Sequence, residues 1–394
     1  MEYCFGQAFD AWAYARKGQE LDAASRIQKK MIEHATLELA DNLEKPDWPA
    51  DGREDVQACP VCGSKRRRQL YTGLRDRVFF SAPGEWTLHE CLACHSAYLD
   101  PRPTIETIHL AYRTYITHQK ISRPSYEALH GLKALRRVLA NGYVNWRFGS
   151  TLQPAIAFGV LVAFLLPNKR AVLDRAFRHL PAVASGRRLL DIGFGAGSFL
   201  ECAQSAGWEA VGIDPDRIVV ENARQRGLDV YHGSLEIFDD TAEQFDVITI
   251  SHVIEHVHNP RATLIRINRL LKPGGMFWLE TPNIESLGHD RFRRHALHLD
   301  PPRHLAIFNW SSLLTLLRET GFVNIRPRIC YDTYYSLAAA SRSIKAGADP
   351  FSDRRVSFKY WSEGFLAGLI ARLLPRKSEF ITLTAYKAMQ ESLK

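Results

Sequence analysis

The chain lacks any apolar run long enough to span a membrane. A spanning helix needs roughly 20 apolar residues, and the longest run here, AIAFGVLVAFLL at 155–166, has 12. Pro154 and Pro167 close it on both sides. At that length it reads as a buried helix. The alternative is shallow interfacial contact with a membrane, Lys169 and Arg170 lying at its edge. The opening MEYCFGQAFD lacks a basic start followed by an apolar block, so no signal peptide is expected and a cytoplasmic location is. No internal repeat or low-complexity tract is present, which argues against solenoid and fibrous classes. Cysteine is scarce: seven in 394 residues, too few for a disulfide-built scaffold. A large charge excess is missing too. The net charge of +8 permits an acidic partner without demanding one. The run Lys65, Arg66, Arg67, Arg68 and the Arg-rich stretch 169–188 read as solvated faces.

What is present is a globular composition, 46% apolar and 24% charged, over a length that suits two or three domains. Residues 1–52 form a helical extension and linker: apolar positions recur at helical spacing over 7–43, and EKPDWPADG (44–52) breaks the pattern. Residues 53–103 hold two cysteine pairs. Residues 104–184 read as a helical connecting region. From 185 to 394, short apolar runs alternate with amphipathic helices, with a large insertion at 331–378. Strands alternating with helices predict an α/β domain around a covered parallel sheet. SSLLTLLRETGF (311–322) predicts a helix with a Ser cap and Gly321 as its stop. The strands FVNIRPRI and EFITLTAYKA follow on either side of the insertion.

LLDIGFGAGSFL (189–200) runs a strand into Asp191, then places Gly193, Gly195 and Gly197 before a helix starting near Ser198. Glycines let a ligand lie against the backbone, and the helix N-terminus attracts an anion. Asp214 ends the next strand, where a carboxylate can accept both hydroxyls of a ribose. The spacing departs from the Gly-x-Gly-x-x-Gly of dinucleotide sites, and Asp191 would repel a pyrophosphate. It suits an adenosine-type cofactor carrying an amino group and a sulfonium. With AVGIDPD, FDVITISHVIEHVHNP (245–260) and LLKPGGMFWLETPN (270–283), this stretch resembles the class I S-adenosylmethionine-dependent methyltransferases over roughly 187–326. The resemblance implies a Rossmann-like, seven-stranded fold and S-adenosylmethionine as cofactor. It further implies that Gly193, Gly195 and Gly197 line the methionine and ribose side and that Asp191 lies near the amino end. Asp214 would bind the ribose, Gly233 and Ser234 would lie at the adenine, and Ser251 and His252 beside the sulfonium.

Cys59, Cys62, Cys91 and Cys94 form Cys-x2-Cys, 28 residues, Cys-x2-Cys. Two such knuckles complete a tetrahedral thiolate site of the structural zinc type, with no open position for catalysis. The spacer has room for a hairpin, RQLYTGL with EWTLHE. Cys91-x-x-Cys94-His95 also matches a c-type haem attachment pattern, but the pair at 59 and 62 would then be unexplained. A Cys4 module joined to YLDPRPT and a methyltransferase half resembles bacterial sugar C-methyltransferases, and the catalytic half also resembles ubiquinone-type O-methyltransferases.

Methyl transfer needs positioning, exclusion of water and, for a hydroxyl or acidic-carbon acceptor, a base near neutral pH. His304 in LDPPRHLAIFNW is the favoured base, with His256 as the second candidate, read as orienting the pocket. Glu255 reads as structural, a partner for an Arg. The expected function is methylation of an oxygen or carbon on a small-molecule or glycan acceptor. One alternative is an rRNA or tRNA methyltransferase whose zinc module reads RNA, with KRRR as phosphate footprint. SHVIEH in place of the Asn- or Asp-Pro-Pro-aromatic motif argues against base N-methylation. The other alternative is a zinc-containing binding protein without catalysis.

Overall fold

The computed structural model describes residues 47–113, 131–183, 186–328, 333–351 and 358–389. The helix expected at 7–43 lies outside them. The N-terminal module contains β1 (Arg53–Glu54), β2 (Arg67–Leu74), β3 (Trp86–Cys91), β4 (Ala97–Leu99) and β5 (Arg102–Pro103). β2 and β3 form the hairpin expected between the cysteine pairs, and β4 extends it antiparallel. Residues 47–52, read from sequence as the end of a linker, are held in this module. Trp48 is buried edge-on against Trp86 and donates its indole N–H to the Gly52 carbonyl at 2.8 Å.

Among the described residues, three α-helices follow: α1 (Leu132–Phe148), α2 (Gly159–Leu165) and α3 (Pro167–Ala176). Two glycines let the backbones of the first two touch. A Cβ on Gly142 or on Gly159 would fall 1.9 Å from the carbonyl oxygen of Ile156 or Leu139 respectively. Asn141 and Asn145 tie down the connection by donating to the carbonyls of Pro154 and Leu152, each at 2.9 Å. The segment 155–166 was expected to be a buried helix, and the structure corrects this. The helix is shorter, only Gly159 and Ala163 within it are buried, and Phe158, Leu161, Phe164, Leu165 and Leu166 are exposed. An all-apolar run has no polar face to mark which side meets water, so its sequence could not show this.

The main domain alternates as read: β6 (Arg188–Ile192), α4 (Ser198–Ser205), β7 (Glu209–Asp214), α5 (Arg217–Arg224), β8 (Asp229–His232), β9 (Phe245–Ser251), α6 (Pro260–Leu270) and β10 (Leu271–Pro282). Then come α7 (Leu287–Phe292), β11 (Ala306–Ile307), α8 (Trp310–Glu319), β12 (Phe322–Pro327), α9 (Tyr334–Lys345), α10 (Phe358–Leu373) and β13 (Phe380–Lys387). Seven strands make one sheet in the order β12-β13-β10-β9-β6-β7-β8. The five from β10 to β8 are parallel, and β13 inserts antiparallel between β10 and β12. Both faces are covered, so Leu190 and Ile192 enter one core while Leu189 enters the other. The helix at 311–322 is capped by Asn309, not by the expected serine. Asn309 and Ser312 bond reciprocally as a capping box, which satisfies two helix-end donors where a Ser311 cap would satisfy one.

β11 does not join the main sheet. It pairs with β4 and completes a four-stranded sheet of order β11-β4-β3-β2. Asn309 donates to the Cys94 carbonyl at 2.8 Å and Ser96 donates to Ser312 Oγ at 2.8 Å. The cysteine module and the loop after β10 are therefore one hydrogen-bonded unit.

Candidate functional site

Strand order reverses at β6, which lies between β9 and β7. Open α/β sheets bind ligands outside the carboxyl ends of their strands at such a point. Asp191, the glycine turn, Asp214, Ser251 and His252 all fall there.

The turn after β6 holds Gly193, Gly195 and Gly197 at φ +67°, +50° and +76°, where side chains are strained. The Gly195 N–H donates to Asp214 Oδ2 at 3.0 Å and the Asp216 N–H donates to Oδ1 at 2.9 Å. These bonds aim the Asp214 carboxylate and leave lone pairs for further donors. Burial pushes Asp214 up to about 6, against the lowering effect of the two N–H groups. Gly233 donates to the Asp214 carbonyl at 3.0 Å, which brings the Gly233–Ser234 loop beside the same strand end.

Asp191 is fully buried, and its Oδ1 accepts from Arg178 and, at 2.9 Å, from Thr249 Oγ1. Its Oδ2 is buried without a partner, as is Arg178 Nη2. Burial pushes Asp191 up and Arg178 down, so each charge depends on the other. An orphaned carboxylate oxygen beside a glycine turn fits an amino-bearing ligand. The remaining lone pairs of Asp214 suit a pair of hydroxyls, so the residues present fit S-adenosylmethionine.

Ser251 ends β9 and His252 follows it in the left-handed region at φ +55°. The His252 N–H donates to the Glu280 carbonyl at 2.9 Å. Its ring lies between two carboxylates, 3.2 Å from Glu255 Oε1 and 3.4 Å from Glu280 Oε1. Burial alone would lower its pKa, but the two carboxylates hold it up to about 9. The two carboxylates thus favour the protonated ring, which makes His252 a poor proton acceptor. Arg175 Nε donates to Glu280 Oε2 at 2.7 Å, and Thr382 donates to the same oxygen at 2.7 Å. Glu255 was expected to pair with an Arg; its partners are His252 and, at 2.9 Å, Thr281. The Arg goes to Glu280 because α3 delivers Arg175 to that strand.

His256 and His304 meet edge to face with ring centroids 4.8 Å apart. Each Nδ1 sits against a backbone carbonyl, His256 at 2.9 Å from Arg303 O and His304 at 2.7 Å from His298 O. A carbonyl can only accept, so each Nδ1 carries a proton and donates it; His256 Nδ1 also lies 3.0 Å from the Tyr112 hydroxyl. Burial pulls His256 down to about 4. A ring nitrogen of each and a Glu255 oxygen lie within 4.8 Å of one another. The loop bearing His304 is locked by Arg303, whose guanidinium is fully buried between Asp300 at 2.5 Å and Asp76 at 2.6 Å. Asp76 comes from the cysteine module, where it also accepts from the N–H groups of Val78, Phe79, Ser81 and Ala82.

Cys59, Cys62, Cys91 and Cys94 converge, all within 4.8 Å of one another. Cys59–Cys94 is 3.7 Å and Cys62–Cys91 is 3.5 Å between sulfurs. A tetrahedron with metal–sulfur bonds of about 2.3 Å has edges of about 3.8 Å, so the thiols fit a zinc ion. His95 turns away and bonds Glu90 at 3.1 Å. In the KRRR run, Arg67 pairs with Asp100 and Arg68 bonds Glu90 at 2.8 Å, so half of the supposed phosphate footprint is already paired within the module.

Arg175, Arg178, Glu280, Arg303 and Asp76 were not singled out from the sequence. Glu280 had a signal: a lone charge inside the apolar run GMFWLET must find a partner once both sheet faces are covered. The arginines had none, since an Arg-rich stretch looks the same whether solvated or buried.

Fold and site define a class I S-adenosylmethionine-dependent methyltransferase domain. Residues 164–326 match the methyltransferase domain family, beginning within α2. The chain is similar to ubiquinone biosynthesis O-methyltransferases. That of Methylococcus capsulatus is 33% identical over 106 residues, covering 25% of this chain and 45% of the relative. That of Roseobacter denitrificans is 33% identical over 153 residues, covering 36% and 62%. The chain thus spans about half the length of the relatives it matches. A solved S-adenosylmethionine-dependent methyltransferase from Archaeoglobus fulgidus aligns at 23% identity and TM-score 0.39, over 57% of this chain and 99% of that one.

Proposed function

We propose that this protein transfers a methyl group from S-adenosylmethionine to an oxygen or carbon of a small-molecule or glycan acceptor in a biosynthetic pathway. The observation that carries the reading is Asp214, aimed by Gly195 and Asp216 across the glycine turn at the point where strand order reverses. When bound, the cofactor supplies a methyl carbon activated by positive sulfur. Asp214 accepts the ribose hydroxyls, and the Gly193–Gly197 backbone lies along the methionine and ribose. Asp191 Oδ2 takes the amino group. Gly233 and Ser234 would lie at the adenine, and Ser251 and His252 at the sulfur end, where the carboxylates of Glu255 and Glu280 offset the charge of the His252 ring. His304 is the base: its Nδ1–H is held by the His298 carbonyl, so Nε2 can take the proton of an acceptor hydroxyl or acidic carbon. His256, held in the same tautomer, orients His304 from the side.

Cys59, Cys62, Cys91 and Cys94 hold a structural zinc ion, and through β4, β11 and Arg303 that module fixes the His304 loop. The test is calorimetry with S-adenosylmethionine followed by transfer of labelled methyl to candidate glycan and phenolic acceptors. Binding with transfer that His304→Gln lowers by about 100-fold supports the reading, within the usual range for a general base. Absence of cofactor binding removes it.

A further inference from the structure

The helical unit ahead of the first central strand carries a surface that methyl transfer does not use. Between Gly131 and Leu173 the chain has six cations, Lys133, Arg136, Arg137, Arg147, Lys169 and Arg170, and no Asp or Glu. The same stretch exposes large apolar side chains on consecutive turns. Phe158 is 60% exposed, Leu161 52%, Phe164 51% and Leu165 69%. Trp146 of α1, itself 58% exposed, meets Phe164 edge-on at 5.9 Å, and the Arg170 guanidinium lies 4.8 Å from the Phe164 ring centre. These rings and aliphatic chains therefore form one surface, with Lys169 and Arg170 at its border. The contacts at Gly142 and Gly159 lock α1 against α2, so the apolar rim is a fixed feature of the fold.

Among the described residues, no helix is long and apolar enough to cross a membrane. Apolar residues beside cations, without a single anion, match the headgroup boundary of an anionic bilayer, where rings and aliphatic chains enter the acyl region and Lys and Arg meet lipid phosphates. We propose that the α1–α2 hairpin docks this protein on anionic lipid surfaces, with Phe158, Leu161, Phe164 and Leu165 inserted and Lys169 and Arg170 on the headgroups. The surface and the candidate site are joined by α3. α3 begins at Pro167, and its far end supplies Arg175 to Glu280 and, just beyond, Arg178 to Asp191. Docking itself does not depend on the methyltransferase reading.

The experiment is co-sedimentation of the full chain with phosphatidylglycerol-containing vesicles and with pure phosphatidylcholine vesicles, at low and high salt. Binding to the anionic vesicles is expected, weakened by salt, with the doubly substituted Phe164→Glu/Leu165→Glu protein reduced at least about tenfold. Lys169→Glu/Arg170→Glu is expected to abolish the preference for anionic lipid. Both pairs are largely solvent-facing, so folding is checked by an unchanged melting temperature. A second readout needs no charge reversal: brominated lipid should quench Trp146, seen as the difference from Trp146→Phe. No sedimentation with anionic vesicles at low salt overturns the proposal. So does equal binding by wild type and the Phe164→Glu/Leu165→Glu protein. Self-association that the same substitutions abolish, without vesicle binding, overturns it in favour of a second copy covering the surface. Cofactor calorimetry on the same samples reports separately on the methyltransferase reading.

Discussion

Replacing Asp214 by Asn tests the cofactor site at the atom on which it depends. The carboxylate accepts from Gly195 and Asp216 and keeps lone pairs that the two hydroxyls of the proposed ribose would use. Asn preserves the shape but turns one acceptor into a donor. That donor then faces a backbone N–H, and one ribose hydroxyl loses its partner. Hydrogen bonds to a charged group are worth about 1.5–3 kcal/mol each. Asn retains one of the two ribose bonds in a weaker neutral form, so the net loss is about 2–4 kcal/mol, or roughly 30- to 1,000-fold in affinity. Calorimetry with S-adenosylmethionine reads this directly, with a melting curve to confirm folding. The pH dependence provides an independent check. Burial holds Asp214 up to about 6 in the free protein, and the ionised form is the one that accepts hydroxyls. Affinity should therefore rise about tenfold from pH 5 to pH 7 and then level off. Stability runs the other way. An Asp raised above its unfolded value of about 3.9 binds more protons folded than unfolded, so its contribution falls as pH rises from about 4 to about 6. A folded Asp214→Asn protein whose affinity falls less than about threefold would refute the placement of the ribose at this carboxylate.

Metal analysis of the purified protein should find close to one zinc per chain, lost in Cys59→Ser and Cys94→Ser. A structural zinc site contributes several kcal/mol; at about 2–4 °C per kcal/mol the melting temperature should drop on the order of 10 °C. Protein free of zinc and equally stable would refute the metal site. Arg303→Met leaves Asp76 and Asp300 as unpaired buried carboxylates, at a cost of about 3–5 kcal/mol. Thermal denaturation should show a fall of on the order of 10 °C, and a change under about 2 °C would mean that Arg303 does not lock the loop.

The main sheet was readable from local pattern. Its strands are apolar runs bounded by Gly, Asp and Pro, and its turns rest on residue types that few other positions require, such as the glycines after β6. The convergence of the four cysteines was equally plain, because the two Cys-x2-Cys pairs stand at a fixed, short spacing along the chain. The segment 155–166 was misread because twelve apolar residues look alike in a core and on a rim. Asn309, rather than a serine, caps α8 because a reciprocal capping box satisfies more donors than a lone hydroxyl.

By itself the sequence determined the order of strands and helices, the glycine turn with its two acids, and the four thiols. These depend on neighbours within a few residues, through backbone dihedrals, side-chain periodicity and ligand spacing. Only the tertiary structure decided which charges meet. Arg178 reaches Asp191, Arg175 reaches Glu280, and Arg303 joins Asp300 to an aspartate more than 200 positions earlier in the chain. Such pairs carry no periodic signature. A buried charge is tolerated only where folding delivers its opposite, and that delivery depends on the packing of the whole chain.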